Sequence, residues 1–190
     1  IDDQIKNKLF EKSLVSINTL SKIDNLKPLS NKLLEKHYIG YNPFIFSSVE
    51  GLIKHNKFEQ SLIKIKDLNK VKQTKDTSKK LNEIYYATYN PFIFTEVEGL
   101  INQNKYEPSI TKIRDLNRIN ESKNTSKKLR KLFENNYINA VKNKLANLKV
   151  LLYKKNSSKS KIMINSIQNF IQIEPTSLPN NLHKKFTSYK

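Results

Sequence analysis

Cysteine and tryptophan are absent from the chain, which carries only three glycines and one methionine. Without cysteine there is no disulfide framework, no thiolate zinc site and no cysteine nucleophile. No apolar run approaches the roughly 20 residues of a membrane-spanning helix, and none resembles the apolar core of a signal peptide. A Gly-rich phosphate loop, zinc-ligand spacing and the signatures of the common RNA modules are missing as well. The expectation is a non-enzymatic protein with no cofactor, no metal, no small-molecule substrate and no transmembrane segment. The first residue is Ile1 rather than Met, as in an excerpt or a processed chain, so targeting is not readable.

Arginine is scarce while positive charge is abundant. Of 35 basic residues only Arg114, Arg118 and Arg130 are arginines, and the net charge is +18. Asparagine occurs 24 times against three alanines. Lys, Asn, Ile and Tyr have AT-rich codons, so an AT-rich genome accounts for lysine in place of arginine; a mitochondrial matrix or another AT-rich-genome compartment is the expected location. Codon bias does not account for the excess of one sign. A surplus of 18 positive charges repels itself until an anionic partner neutralises it. Apolar residues make up 37% of the chain, low for a globular protein, so the core must be thin.

Self-comparison reveals a tandem repeat. Residues 42–71 (NPFIFSSVEGLIKHNKFEQSLIKIKDLNKV) match residues 90–119 (NPFIFTEVEGLINQNKYEPSITKIRDLNRI) at 19 of 30 positions, a shift of 48 residues. The register extends upstream, where Phe10, Ser13, Leu14 and Ile17 fall on Phe58, Ser61, Leu62 and Ile65. Downstream, TSKKL at 77–81 recurs at 125–129. The expected organisation is a helical repeat domain over residues 1–140, made of a partial copy 1–41 and copies 42–89 and 90–137. A basic C-terminal helix and tail follow over residues 141–190.

Each copy reads as three short helices. Asn42-Pro43 and Asn90-Pro91 suit an N-cap followed by proline at the first helical position, although Phe-Ile-Phe also suits a short strand. Asn56 suits a left-handed stop. A second helix spans about 58–72, and a third begins at a Ser78 or Ser126 hydroxyl cap. A unit of this size buries its apolar face only by stacking on neighbours, which predicts an all-α, solenoid-like helical array. Beyond it, residues 138–155 read as one more helix, 154–161 as a basic linker, 162–173 as a helix or strand, and 174–190 as an extended tail.

Charge density rises along the chain. Residues 1–140 hold 25 basic and 16 acidic groups, whereas residues 141–190 hold ten basic groups and one acid, Glu174. Lys64, Lys66 and Lys70 recur as Lys112, Arg114 and Arg118. Lys79 and Lys80 recur as Lys127 and Lys128, extended by Arg130 and Lys131. In a stacked array such positions line up as basic ridges that suit phosphates. Lys154, Lys155, Lys159, Lys161, Lys184 and Lys185 continue the surface into the tail. Tyr41 and Tyr89 are candidates for stacking on bases, while Phe44, Phe46, Phe92 and Phe94 read as core. His37, His55 and His183, and the acids retained between copies, read as structural.

The composite expectation is an RNA-associated helical repeat protein, such as a ribosomal or other ribonucleoprotein component bound to ribosomal RNA and neighbouring proteins. The alternative is a secreted or surface repeat module of a parasite or bacterium that binds an acidic protein or another polyanion, its tandem copies adding avidity.

Overall fold

The computed structural model describes residues 1–189, and all regular structure among them is helical. The chain divides into two compact units, Ile1–Tyr89 and Asn90–Lys190. The first holds α1 (Asp2–Lys6), α2 (Phe10–Leu20), α3 (Lys27–Lys54), α4 (Phe58–Asn69) and the start of α5 (Lys75–Asn102). The second holds the end of α5, then α6 (Tyr106–Asn117), α7 (Lys123–Tyr153), α8 (Ser157–Gln172) and α9 (Asn180–Thr187). Short 3-10 turns at Asp24–Leu26, Lys72–Thr74 and Asn120–Ser122 lead into the three long helices.

The copies are built differently from the three-helix expectation. Each alternates one short helix with one long one, because the third helix of a copy runs without a break into the first helix of the next. Pro43 and Pro91 therefore lie inside 28-residue helices rather than at their starts. An interior proline lacks the N–H that would bond four residues back. The asparagine before each proline is not an N-cap but a tether. Asn42 Nδ2 donates to Gln73 O at 3.0 Å, and Asn90 Nδ2 donates to Glu121 O at 2.9 Å. Each side chain thus holds its long helix to the 3-10 turn later in the same copy, 31 residues on. Asn90 Oδ1 also accepts from the Ser122 hydroxyl at 2.7 Å.

The expected hydroxyl caps are corrected in the same way. α7 starts at Lys123, upstream of Ser126, and the first-turn serines reach across to the preceding short helix. Ser30, Ser78 and Ser126 donate to the carbonyls of Ile17, Ile65 and Ile113 at 3.2, 2.9 and 2.9 Å. The left-handed stop is as expected: Asn56 and Asn104 have φ of 57° and 59°. The same conformation returns at Lys8 and Lys155, before α2 and α8.

In the first unit Ile45, Val49 and Ile53 of α3 pack with Phe58, Ile65 and Leu68 of α4 and with Leu81 and Tyr85 of α5. Each such side chain contributes about 1.5–3 kcal/mol on burial. In the second unit α7 packs against both α6 and α8. The C-terminal region is more ordered than a linker and extended tail. α7 continues through position 140 to Tyr153, α8 begins at Ser157 with Asn156 as a side-chain N-cap, and α9 buries Leu182 and Phe186. Leu182 and Phe186 lie four apart on one face of α9, and Leu178, extended two residues before the helix, is buried as well.

Candidate nucleic-acid interface

The long helices share a design but not a charge. α5 carries three basic and four acidic residues, whereas α7 carries eight basic residues and one acid, Glu134. The whole first unit has 16 basic and 10 acidic residues, and the second has 19 and seven. Between Glu134 and Glu174 there are seven lysines and no acid.

Five of the eighteen candidate cations are engaged by carboxylates. Lys70 pairs with Asp67 at 2.7 Å, Arg118 with Asp115 at 3.1 Å and Lys112 with Glu96 at 3.0 Å. Arg114 and Arg130 converge on Glu174, which is 4% exposed, and Arg130 also pairs with Glu134 at 2.8 Å. Arg130 donates to the Ser177 hydroxyl at 3.0 Å, and Thr176 donates to Glu174. Burial alone would raise the Glu174 carboxyl; the Thr176 hydroxyl and the two guanidinium groups outweigh it and hold the group below its ordinary value. Arg114 and Arg130 are thus committed to a buried carboxylate, where a planar fork fits, while Arg118 makes an exposed pair one turn along its helix.

The other thirteen candidates form no ion pair among the described residues. Lys64 and Lys66 are exposed on α4, and Lys79 and Lys80 on α5. Lys127, Lys128 and Lys131 are exposed on the first turns of α7, where one-turn spacing groups Lys131 with the other two. Lys154 and Lys155 form the turn after α7, Lys159 and Lys161 lie in the first turns of α8, and Lys184 and Lys185 are exposed on α9. Lys142 and Lys149, exposed on α7, extend the same set and were not among the candidates. The acid-free interval was their signal.

The tyrosines proposed for stacking, Tyr41 and Tyr89, are half-buried and packed in aromatic clusters. His37 stacks on Tyr41, Tyr85 on Tyr89 and Phe133 on Tyr137, with ring centroids 5.6, 5.3 and 5.3 Å apart. Phe10, Phe58 and Tyr106 close edge-on against these pairs. Burial pushes the Tyr137 phenol up to about 12, and its hydroxyl donates to Phe170 O at 2.6 Å. Phe44 and Phe92, expected in the core, are each 42% exposed. His37 is buried, with Nδ1 2.8 Å from the Ser13 hydroxyl, and burial holds its pKa below the ordinary value. His55 lies on the surface beside Gly51 O.

Among the described residues no group of His, Asp and Glu is placed to hold a metal ion, and no helix is long and apolar enough to cross a membrane. Of the nine tyrosines, Tyr153 at the end of α7 stands apart at 90% exposure. In comparisons with known proteins, no family model, no curated protein and no solved structure matches the chain.

Proposed function

We propose that the chain is a non-enzymatic, RNA-associated helical repeat protein whose 48-residue units form a solenoid-type array. The unpaired lysines of the second unit neutralise RNA phosphates. The observation that carries this reading is the contrast between α5, with three basic residues against four acids, and α7, with eight against one. Drift in codon usage changes lysine for arginine but does not remove acids from one helix and keep them on its counterpart. The arginines support the reading from the other side. Their commitment to carboxylates leaves a surface of lysines, whose compact charge and reach suit phosphates held without strict geometry. Component status in a ribonucleoprotein particle, with ribosomal RNA and neighbouring proteins as partners, follows as the setting in which such a surface is neutralised.

The test is equilibrium binding of the full chain to a structured RNA, an unrelated RNA and heparin, each across a salt series. Binding of both RNAs above heparin is expected, with log affinity falling linearly in log salt, by about 0.7–0.9 per phosphate neutralised. Equal, weak binding to all three polyanions contradicts the reading. Binding to an acidic protein without RNA binding moves the function to the protein-partner class.

A further inference from the structure

The exposed end of α7 adds a feature that phosphate neutralisation alone does not use. Tyr153 is 90% exposed, while the other eight tyrosines are buried or half-buried. Its ring and hydroxyl have no stacking or hydrogen-bond partner among the described residues. Lys149 lies one turn before it, also exposed, and Lys154 and Lys155 follow it in the turn. Lys155 takes a left-handed conformation, φ 54°, at the place where the earlier copies carry Asn56 and Asn104. Counted back from that turn, Tyr153 stands where α3 ends in Lys54 and α5 in Asn102. The aromatic residue is therefore particular to this copy, as the acid-free run around it is.

We infer that Tyr153 is a stacking platform for an unpaired base of single-stranded RNA, with the neighbouring phosphates held by Lys149, Lys154 and Lys155. This rests on the RNA reading above and deepens it to a class of RNA. A flat ring projecting among lysines matches the alternation of base and phosphate along a single strand. In a duplex the bases are stacked on one another and do not offer a face. The outer surface of the last turns of α7 presents Lys142, Asn143, Asn147 and Lys149 beside two branched apolar residues, Val150 and Leu152. A helix that lies in a lipid interface needs a broad apolar stripe, which this polar surface lacks.

The experiment uses the full chain and Tyr153→Ala and Tyr153→Phe variants. The probes are a single-stranded RNA carrying a 2-aminopurine base, an RNA duplex of equal length, heparin, and vesicles containing phosphatidylserine. Tyr153→Ala is expected to weaken single-strand binding roughly 5- to 100-fold. It should abolish the quenching of 2-aminopurine while leaving the salt slope, duplex binding and heparin binding unchanged. Tyr153→Phe retains the ring and should bind as the parent does. Because the side chain is exposed, circular dichroism of both variants should match the parent. Single-strand binding that ignores Tyr153, or an equal loss for every polyanion, overturns the inference and leaves the RNA reading standing. Vesicle binding that depends on Tyr153, with single-strand binding unaffected, also overturns it. A parent chain that binds none of the RNAs removes both readings together.

Discussion

The first and last copies, one in each unit, carry one aromatic cluster in two versions. In the first, Phe10 faces the stacked pair His37 and Tyr41, and the neighbouring ring is Phe44 of the same long helix, 5.2 Å from Phe10. In the second, Tyr106 faces Phe133 and Tyr137, position 140 is alanine, and the neighbouring ring is Phe170 from α8, 5.3 Å from Tyr106. A ring removed from one helix is supplied by another, so the packed volume is kept while its source changes. Surface charge follows no such compensation. The acids Glu83, Glu96 and Glu98 of α5 have Lys131, Lys144 and Ala146 at the corresponding positions of α7. Packing constrains the inner positions of a repeat because neighbouring copies must fit, and it leaves the outer positions free to take a separate role.

The largest expected effect tests the packed half of that comparison. Phe133 is fully buried, and Phe133→Ala should lower stability by about 4 kcal/mol. Phe44→Ala, at a site 42% exposed, should cost about 2 kcal/mol, since a large part of the ring already lies in water. Urea denaturation midpoints measure both, and equal costs would refute the distinction between inner and outer rings.

Next in size is the ion pair that ties the C-terminal segment down. Glu174→Ala leaves Arg114 and Arg130 without their shared carboxylate and should cost about 3 kcal/mol, limited by the exposure of Arg114. The folded carboxyl has a depressed pKa, so its contribution is present at neutral pH and is lost as pH falls below the ordinary value of 4.5. Glu174→Gln should flatten that acid limb, as read from melting temperature against pH.

The first unit has its own acid limb at higher pH. The buried His37 resists protonation, while the unfolded imidazole titrates near 6.5, so stability declines as pH falls below that value. His37→Phe, the residue that Phe133 supplies in the later copy, should remove this decline between pH 6.5 and the depressed folded value. An unchanged profile would place the acid sensitivity elsewhere.

A smaller effect separates stability from the proposed binding surface. Lys155 holds a left-handed conformation that asparagine occupies in two other copies. Lys155→Asn should stabilise the protein by about 1 kcal/mol and weaken RNA binding at the same time. A gain in stability with unchanged RNA affinity would remove Lys155 from the surface.

Much of this architecture was legible in the sequence, and the misreadings have physical causes. Composition and apolar spacing marked an all-helical protein, and Asn56 marked a left-handed turn because its side chain tolerates positive φ. Asn-Pro misled because the same dipeptide that starts a helix also sits within one, where the asparagine side chain bonds to a turn 31 residues away. That partner is not visible locally. Pro175 and Pro179 suggested an extended tail, yet Pro179 immediately precedes α9 as its N-cap residue, and the spacing of Leu178, Leu182 and Phe186 was the contrary signal. Of the candidate cations, Arg114 and Arg130 were unreadable as internal pairs because Glu174 is 60 residues from Arg114 and 44 from Arg130. Tyr153 was hidden among nine tyrosines that only packing tells apart.

The most direct test of the charge division strips cations from the first turns of α7 and, separately, from those of α5. In the full chain, Lys127→Gln, Lys128→Gln and Lys131→Glu are combined, and Lys79→Gln with Lys80→Gln is the counterpart on α5. RNA affinity is measured across a salt series for both. The α7 variant should bind far more weakly, its log–log salt slope shallower by about two units, near 0.7 for each lost contact. The α5 variant should keep the parent's slope. Equal losses in the two variants, or no loss in either, would contradict the assignment of the phosphate-binding surface to the second unit.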